Sequence, residues 1–393
     1  MNLPRLRPVR VGLESLLAQH TLLIDQRVGL VCNQASVTGE LVHSIDALRE
    51  SGRDLRVIFA PEHGIDGDVQ AQDDVNENHQ THHGLQVRSL YGPRLSPEAQ
   101  SLEEIDSLVF DLQDVGARYY TFVWTMLLSM RACAEARIAM VVLDRPNPIG
   151  GEALEGNLLD PQFASFVGMH AIPARHGMTV AELALLFNSQ LDIGCDLHPI
   201  KMRGWQRGMF FDQTGLPWVM PSPNMPTLDT AMVYPGMCLL EGTNVSEGRG
   251  TTKPFEMFGA PFIDSSALVK RLDTMSLPGV RFRACSFRPT FDKFAGKLCH
   301  GAQIHVLDRG IFKPYLTGLA VISAIRELCG HDFAWREPPY EFETKRLPID
   351  ILTGTDSVRL AIEAGTAPQE IEAGWQDELD GFDKIRREFL LYS

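Results

Sequence analysis

The stretch LRVIFAPEHG, residues 55–64, carries an unbroken apolar run, Val57-Ile58-Phe59-Ala60, that stops at Pro61 and delivers Glu62 and His63 just before Gly64. A short run without polar alternation is the pattern of a strand buried on both faces. The same form recurs in VGLVCNQ (28–34), SLVFDLQDVG (107–116) and IAMVVLDRPNP (138–148). Amphipathic or apolar helical stretches lie between them: LVHSIDALRES (41–51), SPEAQSLEEID (96–106) and YTFVWTMLLSMRACAEAR (120–137). Buried strands alternating with helices predict an α/β fold, a mostly parallel sheet with helices on both faces. Such sheets bind ligands beyond the carboxyl ends of their strands. Four polar tips are therefore expected to face one crevice: Asn33-Gln34, Glu62-His63, Asp111 with Asp114, and Asp144-Arg145 with Asn147.

The later sequence changes character. Residues 196–260 are rich in Pro, Gly, Asn and Trp and show too little periodicity to predict regular structure, yet are too apolar for a disordered linker. Beyond them, GVRFRACSFRPT (279–290) and GAQIHVLD (301–308) read as strands. PYLTGLAVISAIRELCG (314–330) reads as a helix opened by Pro and closed by Gly. TGTDSVRLAIEAG (353–365) and WQDELDGFDKIRREFLLY (375–392) are also predicted helical. A division near 235–260 follows, with residues 1–240 forming the larger α/β unit that carries most of the site and 241–393 a smaller α+β unit that closes the cleft.

The chain has 393 residues, with 36 Lys and Arg against 50 Asp and Glu, a net charge of −14. With no basic stripe, that balance disfavours nucleic-acid binding. The seven cysteines form no CxxC pair, which suits free buried thiols in a reducing compartment. The opening MNLPRLRPVRVGLESLLAQH holds no apolar run of signal-peptide length, and no later run matches a membrane span of about 20 residues. A cytoplasmic location without membrane contact is the expectation.

Several motifs supply candidate chemistry. In DLQDVGARYYTF (111–122), the turn is a candidate to hold an anion with help from Arg118, with one of the tyrosines Tyr119 and Tyr120 in the site or both packing, while Asp114 also suits a helix cap. In ARHGMTVAELALLF (174–187), Thr179 and Glu182 predict a capping box, and Arg175 and His176 sit just upstream, where they reach a cleft or pack. SPNMPT (222–227) offers Asn224, and EGTNVSEGRGT (241–251) offers Asn244, Glu247 and Arg249 among glycines. There is no Walker A, no dinucleotide fingerprint and no G-x-S-x-G elbow, so neither a nucleotide cofactor nor a serine hydrolase is expected. ENHQTHHG (77–84) raises an alternative, a metal-assisted hydrolase built on His63, His79 and nearby acids, but its spacing reads as a loop and no metal is expected.

Taken together, GLVCNQASV, IFAPEHGIDG, VRSLYG, DLQDVGARYYTF, LDRPNPIGG, RHGMTVAELALLFN, MPSPNMPT, EGTNVSEGRGTTKPFE and LPIDILTGTD, in this order along nearly the whole chain, resemble the bacterial exo-β-N-acetylmuramidases of the glycoside hydrolase family 171 type. The resemblance implies a Rossmann-like domain, a smaller C-terminal domain and a cleft between them. It implies release of terminal N-acetylmuramic acid from the non-reducing end of peptidoglycan fragments, as in cell-wall recycling, with a small sugar or muropeptide as partner. It makes Glu62 the first catalytic carboxylate. Glycoside hydrolysis uses a second, roughly 5–5.5 Å away for retention or 6.5–9.5 Å for inversion. Glu155 is the expected partner, with Glu247 and Asp114 as rivals. The substrate's lactyl carboxylate needs a cation, for which Arg118, Arg175 and Arg249 are candidates. Tyr119 or Tyr120 would stack on a sugar face. Asn147 and Asn224 would meet hydroxyls or the N-acetyl group, and His63 would position Glu62 or the sugar. A sugar-binding protein without turnover is the remaining alternative.

Overall fold

The computed structural model describes residues 9–19, 21–70, 81–82 and 84–393. Its strands are β1 (Arg27–Cys32), β2 (Asp54–Ala60), β3 (Thr81–His82), β4 (Leu85–Ser89), β5 (Ser107–Asp111), β6 (Ala139–Leu143), β7 (Glu155–Leu158), β8 (Pro173–Arg175), β9 (Leu197–Ile200), β10 (Met257–Ala260), β11 (Val280–Phe287) and β12 (Cys299–Val306). Seven of them form one sheet in the order β3-β4-β2-β1-β5-β6-β9. Six run parallel, and the two-residue β3 is an antiparallel edge. From β1 the chain winds outward to β2 and β4, then returns to β5 and winds the other way. That reversal opens a crevice beyond the carboxyl ends of β1 and β5, with β2 beside it.

The sheet divides two cores with a period of two. Leu30, Ile58, Val109 and Val141 face one side with Leu13, Leu16 and Ile45. Val31, Phe59, Phe110 and Val142 face the other, against Trp124 and Leu183. The first group of partners lies on or in α1 (Gly12–Leu17) and α2 (Ser44–Glu50). The second lies on α4 (Phe122–Ala136) and α5 (Val180–Gln190), α3 being the single turn Ala99–Leu102. Both faces are thus covered, which is why these strands read as continuous apolar runs. The capping box of α5 forms as its sequence predicts: Thr179 Oγ1 accepts from Glu182 N and Glu182 Oε2 accepts from Thr179 N.

The C-terminal part holds the antiparallel sheet β10-β12-β11, covered by α7 (Ser265–Thr274), against which α8 (Pro314–Cys329) packs. The stretch expected to be irregular contains a helix, α6 (Leu228–Met237), capped by Thr227, whose side chain accepts from Thr230 N. It shows no amphipathic period because it is apolar almost all round, and Pro235 and Gly236 disguise it further. Those residues serve a crossing. A Cβ on Gly236 would lie 1.8 Å from the Pro314 carbonyl oxygen, and one on Gly318 would lie 2.2 Å from the Gly236 oxygen. Helices α6 and α8 therefore touch backbone to backbone, which only glycine permits. The last predicted helix stops early, at Arg386.

The tip of β6 is structural. Asp144 is fully buried and accepts from Thr179 Oγ1, Ala181 N and Tyr392 Oη. Burial, outweighing the bonds from Tyr392 and Ala181, pushes its carboxyl up to about 7. The folded value lies above the unfolded one, so the stabilisation belongs to the protonated form. It is complete below about pH 4 and is lost as pH rises through 7. Asp144→Asn is expected to remove this slope. Denaturant midpoints at pH 5 and pH 8 check it: relative to the wild type, the variant gains stability at the higher pH.

Candidate active site

Beyond the tip of β2 lies a pocket. Its walls come from distant parts of the chain: Glu62 and His63, residues 119–122, Ser222 to Met225, Tyr234, Glu241, Arg249, Phe255, and Tyr340 with Glu341. Aromatic rings make much of the wall. Tyr120 meets Tyr234 edge to face at 5.8 Å, and Tyr234 meets Phe255 at 4.9 Å.

Glu62 is 5% exposed and receives a 2.6 Å hydrogen bond from Thr121 Oγ1. Among the described residues it has no cation partner. The neighbouring His63 adopts φ 74°, a left-handed conformation that costs a non-glycine residue of order 1 kcal/mol. The turn is held by His63 Nδ1 lying 2.8 Å from the Val69 carbonyl oxygen. This backbone reversal is what lets adjacent Glu62 and His63 both line the pocket. Thr121→Val is expected to lower kcat about 5- to 10-fold, the worth of one positioning hydrogen bond, while leaving KM nearly unchanged. Thr121→Ser should restore the rate, whereas a merely structural defect would not follow the hydroxyl.

Three carboxyl groups line this space. Glu241 is neutralised: Arg249 Nη2 donates to Oε1 at 2.7 Å and Tyr340 Oη donates to Oε2 at 2.7 Å. Arg249 stacks over Phe255 at 5.2 Å and also faces Glu247 at 3.4 Å. Burial alone would lower its guanidinium, but Glu241 and then Glu247 outweigh it and hold it well above its ordinary value. Glu247 itself is shared with Lys293 at 2.9 Å and stands behind the wall, bracing Arg249. The third carboxyl, Glu341, escaped the sequence reading.

The structure separates the remaining expected residues into those at the pocket and those elsewhere. Tyr119, Tyr120 and Asn224 line it, with Tyr119 Oη donating to the Pro235 carbonyl and Asn224 Nδ2 donating to Gln70 Oε1 at 2.9 Å. Arg118 does not. It is fully buried, and its Nη atoms donate to the carbonyls of Asn157, Ile172, Leu352 and Thr353, so it has no face left for a substrate carboxylate. Glu155 is not brought to Glu62 either. Arg175 donates to it at 2.7 Å and Tyr315 N at 3.1 Å, and the Glu155–Arg175 pair lines a different cavity. Asp114 accepts from Gly116 N at 2.7 Å, capping a turn instead of the helix, and lies 3.2 Å from Nε2 of the fully buried His176. Asn147 bridges Met178 O and Ile149 N, and Asn244 bridges Asp332 O and Ala334 N, so both close loops. Of the histidines behind the metal alternative, His79 and His83 lie outside the described residues, and His82 is described in its backbone only.

Of the four polar tips, only that of β2 enters the pocket directly. Asp111 is clamped by Arg145 at 2.6 and 2.9 Å. Asn33 Nδ2 and Gln34 Nε2 donate to the carbonyls of Pro221 and Met220 at 3.0 and 2.7 Å. The β1 tip thereby seats the loop that presents Ser222 and Asn224. The tips of β1, β5 and β6 build the frame while that of β2 lines the pocket.

A doubly wound sheet that delivers a carboxylate, without a cation partner among the described residues, into an aromatic-walled, acid-lined pocket is the build of a glycosidase. Comparison narrows the class. The family description "Exo-beta-N-acetylmuramidase NamZ, N-terminal" matches residues 28–229, and its C-terminal counterpart matches 232–392. The peptidoglycan β-N-acetylmuramidase of Bacillus subtilis strain 168 is 47% identical over 386 residues, covering 98% of this chain and 91% of that one. Two crystal structures of DUF1343 family proteins from Bacteroides fragilis share the fold. One has a TM-score of 0.89 at 33% identity, covering 99% of this chain and all of that one. The other has a TM-score of 0.77 at 31% identity, with 98% and 99% covered. The chain belongs to the exo-β-N-acetylmuramidase family.

Proposed function

We propose that this chain releases terminal N-acetylmuramic acid from the non-reducing end of peptidoglycan fragments, with Glu62 as a catalytic carboxylate. The observation that carries the reading is the setting of Glu62: buried, oriented by Thr121 and, among the described residues, without a cation partner, in a pocket whose walls suit a sugar ring. Arg249 is the group for the lactyl carboxylate. Its Nη2 and Nε face glutamates, while Nη1 has no protein hydrogen bond among the described residues. Asn224 keeps Oδ1 for a hydroxyl or the N-acetyl N–H, and Tyr119, Tyr120 and His63 shape the ring's seat. Residues 1–240 supply most of these groups, and 241–393 close the cleft over them. Seven cysteines, five of them buried and none in a disulfide among the described residues, suit work in a reducing cytoplasm on fragments being recycled.

The test uses two short glycans that differ only in whether N-acetylmuramic acid or N-acetylglucosamine occupies the non-reducing end. Mass spectrometry is expected to find free N-acetylmuramic acid from the first and no cleavage of the second. Absence of release from the first overturns the activity, and equal cleavage of both overturns the specificity.

A further inference from the structure

Resting on the proposed glycosidase reading, we propose that Glu341, carried by the C-terminal part of the chain, is the second catalytic carboxyl group and protonates the leaving glycosidic oxygen. Of the three acids in the pocket, Glu241 is consumed by Arg249 and Tyr340. That leaves Glu62 and Glu341, and among the described residues neither has a cation partner. Glu341 is 8% exposed, and Tyr91 Oη donates to its Oε2 at 3.0 Å, leaving Oε1 to carry a proton toward the pocket.

The local backbone is built for that presentation. Tyr340 and Glu343 exchange hydrogen bonds at 2.9 Å, closing a tight turn that forces Glu341 and Phe342 to φ 45° and 67°. Two consecutive non-glycine residues in left-handed conformation persist only where surrounding contacts hold them, and such strain gathers at functional sites. The contacts are present. Phe342 packs edge to face against Tyr91 at 5.3 Å and Phe166 at 5.8 Å, pinning the turn to the sheet side of the cleft. Burial, and then the charge of Glu62, push the Glu341 carboxyl well above the ordinary carboxylate range, the direction a general acid requires.

The step balances without a co-reactant. The Glu341 O–H proton passes to the glycosidic oxygen as the bond from the anomeric carbon to that oxygen breaks, its electron pair staying on the oxygen. The anomeric carbon is taken by a nucleophile on the Glu62 side, and water supplies the hydroxyl of the released sugar. The proton that water loses restores the acid through solvent.

The experiment compares the wild type and Glu341→Gln on an N-acetylmuramyl disaccharide and on a 4-nitrophenyl N-acetylmuramide, whose leaving group needs no proton. Glu341→Gln is expected to lose at least 100-fold in kcat/KM on the disaccharide and under 10-fold on the nitrophenyl glycoside, with the alkaline limb of the pH profile gone. Tyr91→Phe removes a bond that favours the ionised form and should move that limb to higher pH. Disaccharide turnover within threefold of wild type, or equal losses on both substrates, overturns the acid role. A wild type inert on both glycosides overturns instead the activity on which the role rests. Unchanged binding of N-acetylmuramic acid to Glu341→Gln, measured by calorimetry, marks a folded variant, and Glu341→Asp supplies the same comparison if it does not fold.

Discussion

Glu62→Gln is expected to lower kcat/KM on N-acetylmuramyl glycosides by about 10³-fold, close to 4 kcal/mol of transition-state stabilisation. Glutamine keeps the shape of the side chain and an oxygen for the Thr121 hydroxyl, so positioning survives. The charge and basicity are lost, and with them any stabilisation of positive charge at the anomeric carbon. The loss should fall on the nitrophenyl glycoside as heavily as on the disaccharide, because a good leaving group does not replace a nucleophile or base. KM should move little. Thermal stability should hold or rise, since the substitution removes a buried carboxylate that has no cation partner among the described residues and faces Glu341. A variant retaining more than a tenth of wild-type activity would remove Glu62 from the reaction.

Arg118→Met is expected to cost about 3–5 kcal/mol of folding stability. The methionine fills the stem's volume but takes the Arg118 donors from the buried carbonyls of Asn157, Ile172 and Leu352, while Thr353 O keeps its bond from Asn157 Nδ2. A denaturant melt followed by tryptophan fluorescence measures the change. Any folded variant should keep its KM for the muramyl substrate, because Arg118 does not line the pocket. A raised KM with unchanged stability would instead return Arg118 to the role of carboxylate grip.

These two residues show what the sequence could and could not disclose. Continuous apolar runs such as Val57 to Ala60 announce strands covered on both faces, and their polar ends mark where a site belongs. The place of Glu62 at the pocket follows from that logic. Arg118 looked equally functional, since a lone arginine beside tyrosines has the same spelling whether it faces a ligand or four carbonyls. Glu155 misled in the same way. Its neutralising partner Arg175 lies on the paired strand β8, where only register makes them neighbours. Asn147 and Asn244 were read as ligand donors because side-chain amides that close loops and those that bind sugars are the same amides. Glu341 was overlooked because it sits on no strand tip. The available sign was PPYEFE (338–343), an acid set between aromatics in a turn. The helix α6 was hidden by the Pro235-Gly236 pair that its crossing with α8 requires.

The Arg118 clamp also bears on how a substrate enters and leaves. It grips carbonyls on both sides of the cleft, joining residues 235 positions apart, and Asp160 N reaches the Gly354 carbonyl at 2.9 Å beside it. A hinge that swung the two halves apart would have to break these buried bonds together on every turnover. The turn at Glu341 and the loop at Ser222 therefore stand in a frame whose walls are tied to each other by buried bonds.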